Sequence, residues 1–296
     1  MRQKPWVGLL MSSGPMIVMI VFIGLPIVLA VAYSLGDVLG LNRAIAAVAQ
    51  HQVIVKHGLT LKVYRDLWAN AGIRADIGAT LWVTVVAVAV VLVIAYAVSL
   101  YLRFNHNRLA KVLSAIYLIP LFIPVVIASY ALVTFWNAGG FVDALMAHLG
   151  SQGFPGLSYT LTGVVIAQVW VNLPFAILML SSGLTAVPDS LIEASRDVGS
   201  TFLRSIVRIV LPLNILPTVI VLTFTGIGIL GSFTIPYLMG PTAPQMLGVA
   251  TTTYYQAFNE PQQAQALAVL TFVLAAGIGV IYVWANVQAN RREGIS

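Results

Sequence analysis

Six stretches of the chain are dominated by apolar side chains and contain no Asp, Glu, Lys or Arg: residues 6–34, 77–102, 112–136, 159–187, 213–238 and 264–287. A helix needs roughly 20 apolar residues to cross the hydrocarbon layer, and each stretch supplies them. A charge at the centre of such a helix costs about 2.5–3.5 kcal/mol, so six clean runs predict six crossings. Continuous helices satisfy their own backbone hydrogen bonds in lipid, and the two-residue alternation of a membrane barrel is missing. The predicted fold is therefore an all-α polytopic membrane protein, one transmembrane domain over residues 1–296. The first stretch follows Arg2 and Lys4 and ends near Ala30-Val31-Ala32, in the manner of a secretory leader. No charge intervenes between Lys4 and Asp37, however, and the apolar core of a leader is typically about 7–15 residues. It reads as a first membrane helix.

Two connections are longer than a turn requires. In residues 36–76, Leu61, Tyr64, Leu67 and Trp68 recur at helical spacing within Leu59–Trp68, predicting an amphipathic helix along the membrane surface. Residues 188–212 follow the fourth run. Pro188 ends that helix, and Asp189 or Ser190 can cap a short new one over Ser190–Val198. Gly199 supplies a sharp turn. Thr201–Val210 then predicts a second short helix, with Phe202, Ile206 and Ile209 on one side and Arg204 and Arg208 on another. Pro212 is expected to redirect the chain into the membrane.

Composition agrees with a membrane chain: 59% of residues are hydrophobic and 8% charged, against about 25% charged in soluble domains. The formal net charge of +6 matters through its distribution. With a cytoplasmic N-terminus, the inside holds Arg2, Lys4, Arg103, Arg108, Lys111, Arg196, Arg204, Arg208, Arg291 and Arg292. The outside holds Arg43, Lys56, Lys62, Arg65 and Arg74, all in one long loop. Both termini are thereby placed in the cytoplasm. No cysteine is present, which removes disulfides, thiolate metal sites and cysteine nucleophiles.

Between the fourth and fifth runs a family becomes visible. Glu193-Ala194-Ser195, then Gly199, then Ile209-Val210-Leu211-Pro212 resemble the Glu-Ala-Ala loop of the permeases of bacterial ATP-binding-cassette importers, with Ser in place of Ala at the third position. From about Leu59 to Gln288 the order of surface helix, spans and loop is similar to the type I, binding-protein-dependent permeases. Within them the run Glu193 to Ser200 is most like the polyamine branch, beside the iron and phosphonate branches. The resemblance implies a type I importer permease fold whose loop is a cytoplasmic coupling helix between helices 4 and 5. It implies that Glu193, Ala194, Ser195, Asp197, Gly199, Ile209, Leu211 and Pro212 serve ATPase coupling. Glu193 can pair with a basic residue of the ATPase, and the small residues permit close approach. The implied partners are two ATPase subunits that bind ATP and Mg, a second permease subunit (a homologue or a second copy) and an extracytoplasmic solute-binding protein. The implied location is the bacterial inner membrane. The chain itself is expected to carry no cofactor, no metal and no nucleic acid.

Other signals are weaker. No GxxxxGK[ST] phosphate loop occurs, so ATP hydrolysis is left to a partner. Gly226-Ile227-Gly228-Ile229-Leu230-Gly231 spells a dinucleotide fingerprint but lies inside a span, where close helix packing is the expected role. Ala275-Ala276-Gly277 and Gly279 read the same way. His51, His57, His106 and His148 lack ligand spacing, and no hydrolase motif appears. Gln168, Trp170 and Asn172 in the fourth span and Tyr130 in the third are candidates for a translocation path, or interhelical hydrogen-bonding groups. Thr223, Thr225 and Ser232 are further polar positions in the fifth. An importer permease is the leading reading, with polyamine as the substrate the branch implies and sugar, ferric iron or phosphonate as alternatives. A secondary transporter or channel is the runner-up, opposed by the lack of ionisable residues in the spans.

Overall fold

The computed structural model describes residues 13–54, 58–151 and 153–292. Arg2, Lys4, Trp6 (where the first run begins), Lys56, His57 and Glu293 lie outside the described residues. No strand occurs among the described residues. Among the described residues, five helices are long and apolar enough to cross a membrane, or six where a bent pair counts as one span. The chain divides into two compact units: the described residues up to Arg74 with Ala250–Phe272, and Ala75–Val249 with the chain from Val273 onward.

In the first unit, α1 (Ser13–Ser34) is the first span and is almost wholly exposed. It contains a widened π turn at Ile20–Gly24. Pro26 follows two residues later, and the wider turn accommodates a ring that would otherwise press on an earlier carbonyl. The surface helix α2 (Lys62–Ala69) forms as expected, but it buries Val63 and Leu67 while Leu61 and Trp68 stay exposed. Its packing side is thus rotated from the predicted stripe. The buried Gln262 ties this unit together: Nε2 donates to the carbonyls of Tyr33 and Val53 (both 3.0 Å) and Oε1 accepts from Val53 N–H at 2.7 Å.

The second unit is built on α3 (Ala71–Phe104), a 34-residue helix that extends the second run at both ends. The third run does not form one helix. It comprises α4 (Arg108–Ile116), a 3₁₀ turn at Ile119–Phe122 and α5 (Val125–Trp136), continued by α6 (Phe141–His148). The crossing is Val125–His148 rather than 112–136. Pro120 and Pro124 are the cause, because each lacks an N–H. Ile123, just before Pro124, is extended at φ −98°, ψ 120°, as residues preceding proline prefer. The fourth run folds as α7 (Leu161–Ala186). The loop contributes α8 (Asp189–Asp197) and the helical segment α9 (Phe202–Leu213), followed by α10 (Ile215–Leu230). The fifth run then breaks at Gly231–Phe233 before the short α11 (Thr234–Met239). After α12 (Leu247–Thr252), α13 (Pro261–Arg292) is the last span.

The core of the second unit brings Val83, Ala87, Val91 and Ala95 of α3 against Val164, Ala176, Ile177 and Leu180 of α7, with Val221 and Ile229 of α10. Small and β-branched side chains allow this close approach, and Ser99 Oγ adds a bond to Ile177 O across the α3–α7 contact at 3.3 Å. The N-terminal end of α3 is fixed by Asp76 Oδ1 and Thr80 Oγ1, which accept the N–H groups of Gln245 and Leu247. Thr223 and Thr225 are buried. The glycine expectation holds only in part. A side chain at Gly226 would touch Ile278 at 3.5 Å, whereas Gly228, Gly277 and Gly279 face open space. Gly163 and Gly183 in α7 are far tighter.

Candidate functional site

The loop between the fourth and fifth spans is folded from within. Pro188, extended at ψ 135°, stands just before α8 and Asp189 is its first helical residue. Neither Asp189 nor Ser190 caps the helix as expected. Asp189 instead places its charge beside the exposed N–H groups of the first turn, where the helix dipole favours it, and forms an ion pair with Arg103. Arg103, from the C-terminal end of α3, also donates through Nε to Leu184 O and through Nη2 to Val187 O, both at 3.2 Å. One guanidinium therefore satisfies two carbonyls at the end of α7 and the first carboxylate of α8.

Beneath this clamp Leu184, Val187, Ile192 and Val210 form a small buried cluster, with Leu100 and Phe104 packed against it. The rings of Phe104 and Phe202 meet edge to face at 4.9 Å. Gly199 reverses the chain at φ +86°, and its N–H and that of Ser200 return to the carbonyls of Arg196 and Ser195. Thr201 caps the segment that follows. Ser195, the residue that departs from the family pattern, shares a 2.6 Å hydrogen bond with the buried Ser205. The extra hydroxyl thus joins the two short helices.

The second short helix differs from the prediction. After Phe202–Ser205 it widens into a π turn at Ile206–Val210, in which Leu211 N–H bonds to Ile206 O. Pro212 follows within the helical segment, at the same two-residue spacing as Pro26. Redirection occurs at Asn214, where α9 and α10 meet at a 65° bend. The π turn explains the shift: it absorbs the proline and leaves the helix direction intact until the next weak point.

Of the residues expected to serve coupling, Glu193, Ala194, Asp197, Gly199 and Pro212 are exposed, Ser195, Ile209 and Leu211 half-buried. Glu193, Arg204 and Arg208 have no ionic partner within 4 Å among the described residues. Ser195, Gly199, Ser200, Arg204, Ser205 and Arg208 line a groove of ≈ 380 Å³ between the two short helices. Sequence reasoning counted Arg103 only as a cytoplasmic charge and passed over Ser205 and Asn214, because their partners lie on distant segments.

Among the path candidates, Gln168 and Asn172 come together one turn apart on α7. Asn172 Nδ2 donates to Gln168 O at 2.8 Å and Oε1 at 3.4 Å. Gln168 is buried and its Nε2 has no hydrogen-bond partner among the described residues. Trp170 is half-buried two residues along the same helix, and Tyr130 on α5 is 59% exposed. No hydrogen bond links either to the amide pair.

Residues 97–294 match the family described as the binding-protein-dependent transport system inner membrane component. Curated relatives include the spermidine/putrescine transport system permease protein PotB of Escherichia coli, 24% identical over 67% of this chain and 72% of the relative. The trehalose/maltose transport system permease protein MalF of Thermococcus litoralis is 30% identical over 58% of this chain and 60% of its own. Trehalose transport system permease protein SugA of Mycobacterium tuberculosis is 29% identical over 69% and 67%. Among solved structures, a bacterial ABC transporter that imports the acidic polysaccharide alginate matches with a TM-score of 0.75 at 17% identity, covering 97% of this chain and 96% of that one. The MetNI methionine ABC transporter matches at 0.55, with 23% identity over 70% and 91%. The matched region contains the whole 188–212 loop, and the chain belongs to the binding-protein-dependent transport system inner membrane component family, as a non-enzymatic, multi-pass permease subunit of an ABC importer.

Proposed function

We propose that residues 188–212 form the element through which ATPase subunits drive this permease. One observation carries the reading: the loop is held from one side by Arg103 and the Leu184–Val210 cluster, yet leaves the Glu193, Ala194 and Asp197 side chains exposed, with no ion pair to Glu193 or Asp197 among the described residues. A segment with that division of surfaces suits docking against another protein. Small residues admit close approach, and Glu193 pairs with a base of the partner. Truncating one member of a buried charge pair costs about 2–5 kcal/mol. Ser195, Gly199, Ile209, Leu211 and Pro212 hold the shape that makes the contact. Two ATPase subunits, which carry ATP and Mg, would swing the loops as they close and reorient the spans by rigid-body motion. A second permease, self or homologue, and an extracytoplasmic solute-binding protein complete the assembly, with both termini of this chain in the cytoplasm.

The test is Glu193→Ala combined with Gly199→Asp. Uptake into membrane vesicles is expected to be lost and the ATPase to co-purify less, while membrane insertion persists. Normal uptake in this double variant would refute the coupling role.

The solute path is assigned to Gln168 and Asn172, with Trp170 and Tyr130 as flanking aromatics. The polyamine expectation meets a specific objection: residues 77–102, 161–186 and 215–230 contain no carboxylate to balance an ammonium. Amide and hydroxyl groups suit an uncharged hydroxylated solute better, and the relatives include trehalose permeases as well as spermidine/putrescine ones. Calorimetry of the cognate binding protein with trehalose and with spermidine decides between them. Heat from spermidine alone would restore the polyamine reading.

A further inference from the structure

The helical segment α9 leaves the loop and meets α10 at a 65° bend, and Asn214 sits at the vertex. Its side chain is fully buried. Such an angle in a membrane helix exposes carbonyls and would be soft unless something held it. Here the holding groups come from the spans. Asn214 Nδ2 donates to Leu180 O of α7 at 3.4 Å and to Tyr96 Oη of α3 at 3.5 Å. Tyr96 Oη also bonds Thr218 Oγ1, one turn into α10, and Thr218 Oγ1 donates to Asn214 O at 2.7 Å. Three spans thus converge on one residue.

Two further observations show that the fit is close. A Cβ added to Gly183 of α7 would lie 1.9 Å from Asn214 Oδ1 and 2.3 Å from Pro217 Cγ. Gly183 is therefore the residue that lets the vertex seat against α7. Asn214 Oδ1 has no hydrogen-bond donor among the described residues, so the amide carries the cost of an unsatisfied acceptor. A leucine would fill the same site without that penalty if packing were the sole demand.

The placement of the clamps gives the arrangement its meaning. Arg103 of α3 with Leu184 O and Val187 O of α7 secures the leading end of the loop. Tyr96 of α3 with Leu180 O of α7 secures its trailing end. The same two helices grip both ends, through Tyr96 and Arg103 on α3 and through Leu180, Leu184 and Val187 at the end of α7.

We propose that Asn214, seated in Gly183 and held by Tyr96, is a positioning residue for ATP-driven transport. It fixes the angle between the loop and the fifth span, so that displacement of the loop moves α3, α7 and α10 as one body. Without it the loop would swing while the spans lag. The proposal rests on the coupling reading above and adds the joint through which motion passes.

The experiment uses the assembled importer in proteoliposomes with its binding protein. Asn214→Leu removes the donor while preserving bulk, and Tyr96→Phe removes one hydroxyl, a change a folded protein readily survives. ATP hydrolysis and solute uptake are measured together. Solute moved per ATP is expected to fall by about fivefold or more in Asn214→Leu, within the usual range of coupling effects, and less in Tyr96→Phe, with hydrolysis largely retained. Parallel loss of hydrolysis and uptake, or an unchanged ratio, would overturn the proposal. Because the chain lacks cysteine, spin labels can be placed at the exposed Leu178 and Leu203. Their distance distribution should be narrow in the native complex and broad in Asn214→Leu. Equal widths would also overturn it. If instead the Glu193/Gly199 double variant transports normally, the coupling reading itself has failed, which the spin-label widths would not show.

Discussion

At Gly199 the backbone takes a φ of +86°, and a Cβ placed there would meet nothing within 4 Å. Strain, rather than space, excludes other residues. The left-handed conformation costs an L residue about 1–2 kcal/mol, and asparagine tolerates it better than alanine. Gly199→Ala is therefore expected to lower the permease's thermal stability by about 1–2 kcal/mol and to reduce uptake, with Gly199→Asn closer to the native protein. Equal behaviour of Ala and Asn in a thermal-inactivation series would remove the conformational explanation. Gly183 shows the opposite cause, since its neighbours leave no room. The two were not equally legible. Gly199 interrupts a polar helical pattern and marks a turn in the sequence alone, whereas Gly183 lies in an apolar run and depends on Asn214, 31 positions away. Ser195 is similar: only the fold reveals Ser205 opposite its hydroxyl.

At the scale of elements, the loop's stability depends on how α3 and α7 end. Arg103 is mostly buried whereas the Asp189 side chain is 66% exposed, so the two carbonyl bonds at the end of α7 outweigh the ion pair. Exposed pairs contribute at most about 1 kcal/mol, while hydrogen bonds from a charged donor contribute about 1.5–3. Asp189→Asn should change proteolytic sensitivity of the loop little. Arg103→Ala should open it markedly, and Arg103→Lys should fall between because an ammonium lacks the planar fork. Limited proteolysis in detergent reads this order, and a larger effect of Asp189→Asn would reverse the assignment. Elements were legible where hydropathy alone decides, as for α7 and α13. They were not where prolines divide an unbroken apolar run. Residues 112–136 read as a single span because hydropathy carries no record of the N–H groups missing at Pro120 and Pro124. Likewise Pro212 looked like the turning point, although the π turn before it absorbs the ring and the chain bends at Asn214.

For the whole molecule, the proposed coupling role requires that the exposed Glu193 face of the loop lie in the cytoplasm. Ten of the fifteen basic residues fall on one side of the predicted topology, and basic residues in short loops are retained in the cytoplasm. The five on the other side belong to a long segment, which translocates largely regardless of charge. The same topology sets Val198, 86% exposed beside Gly199, on the inner face and Leu59, 66% exposed before α2, on the outer. A cysteine-free chain makes the assignment directly readable. Val198→Cys should react with a membrane-impermeant maleimide only after the cells are broken open, and Leu59→Cys should react in intact spheroplasts. Both substitutions fall on exposed side chains, so folding is little disturbed and the labelling reports access alone. The reverse labelling would place the Glu193 face outside the cell, out of reach of any ATP-hydrolysing subunit, and the coupling mechanism with it.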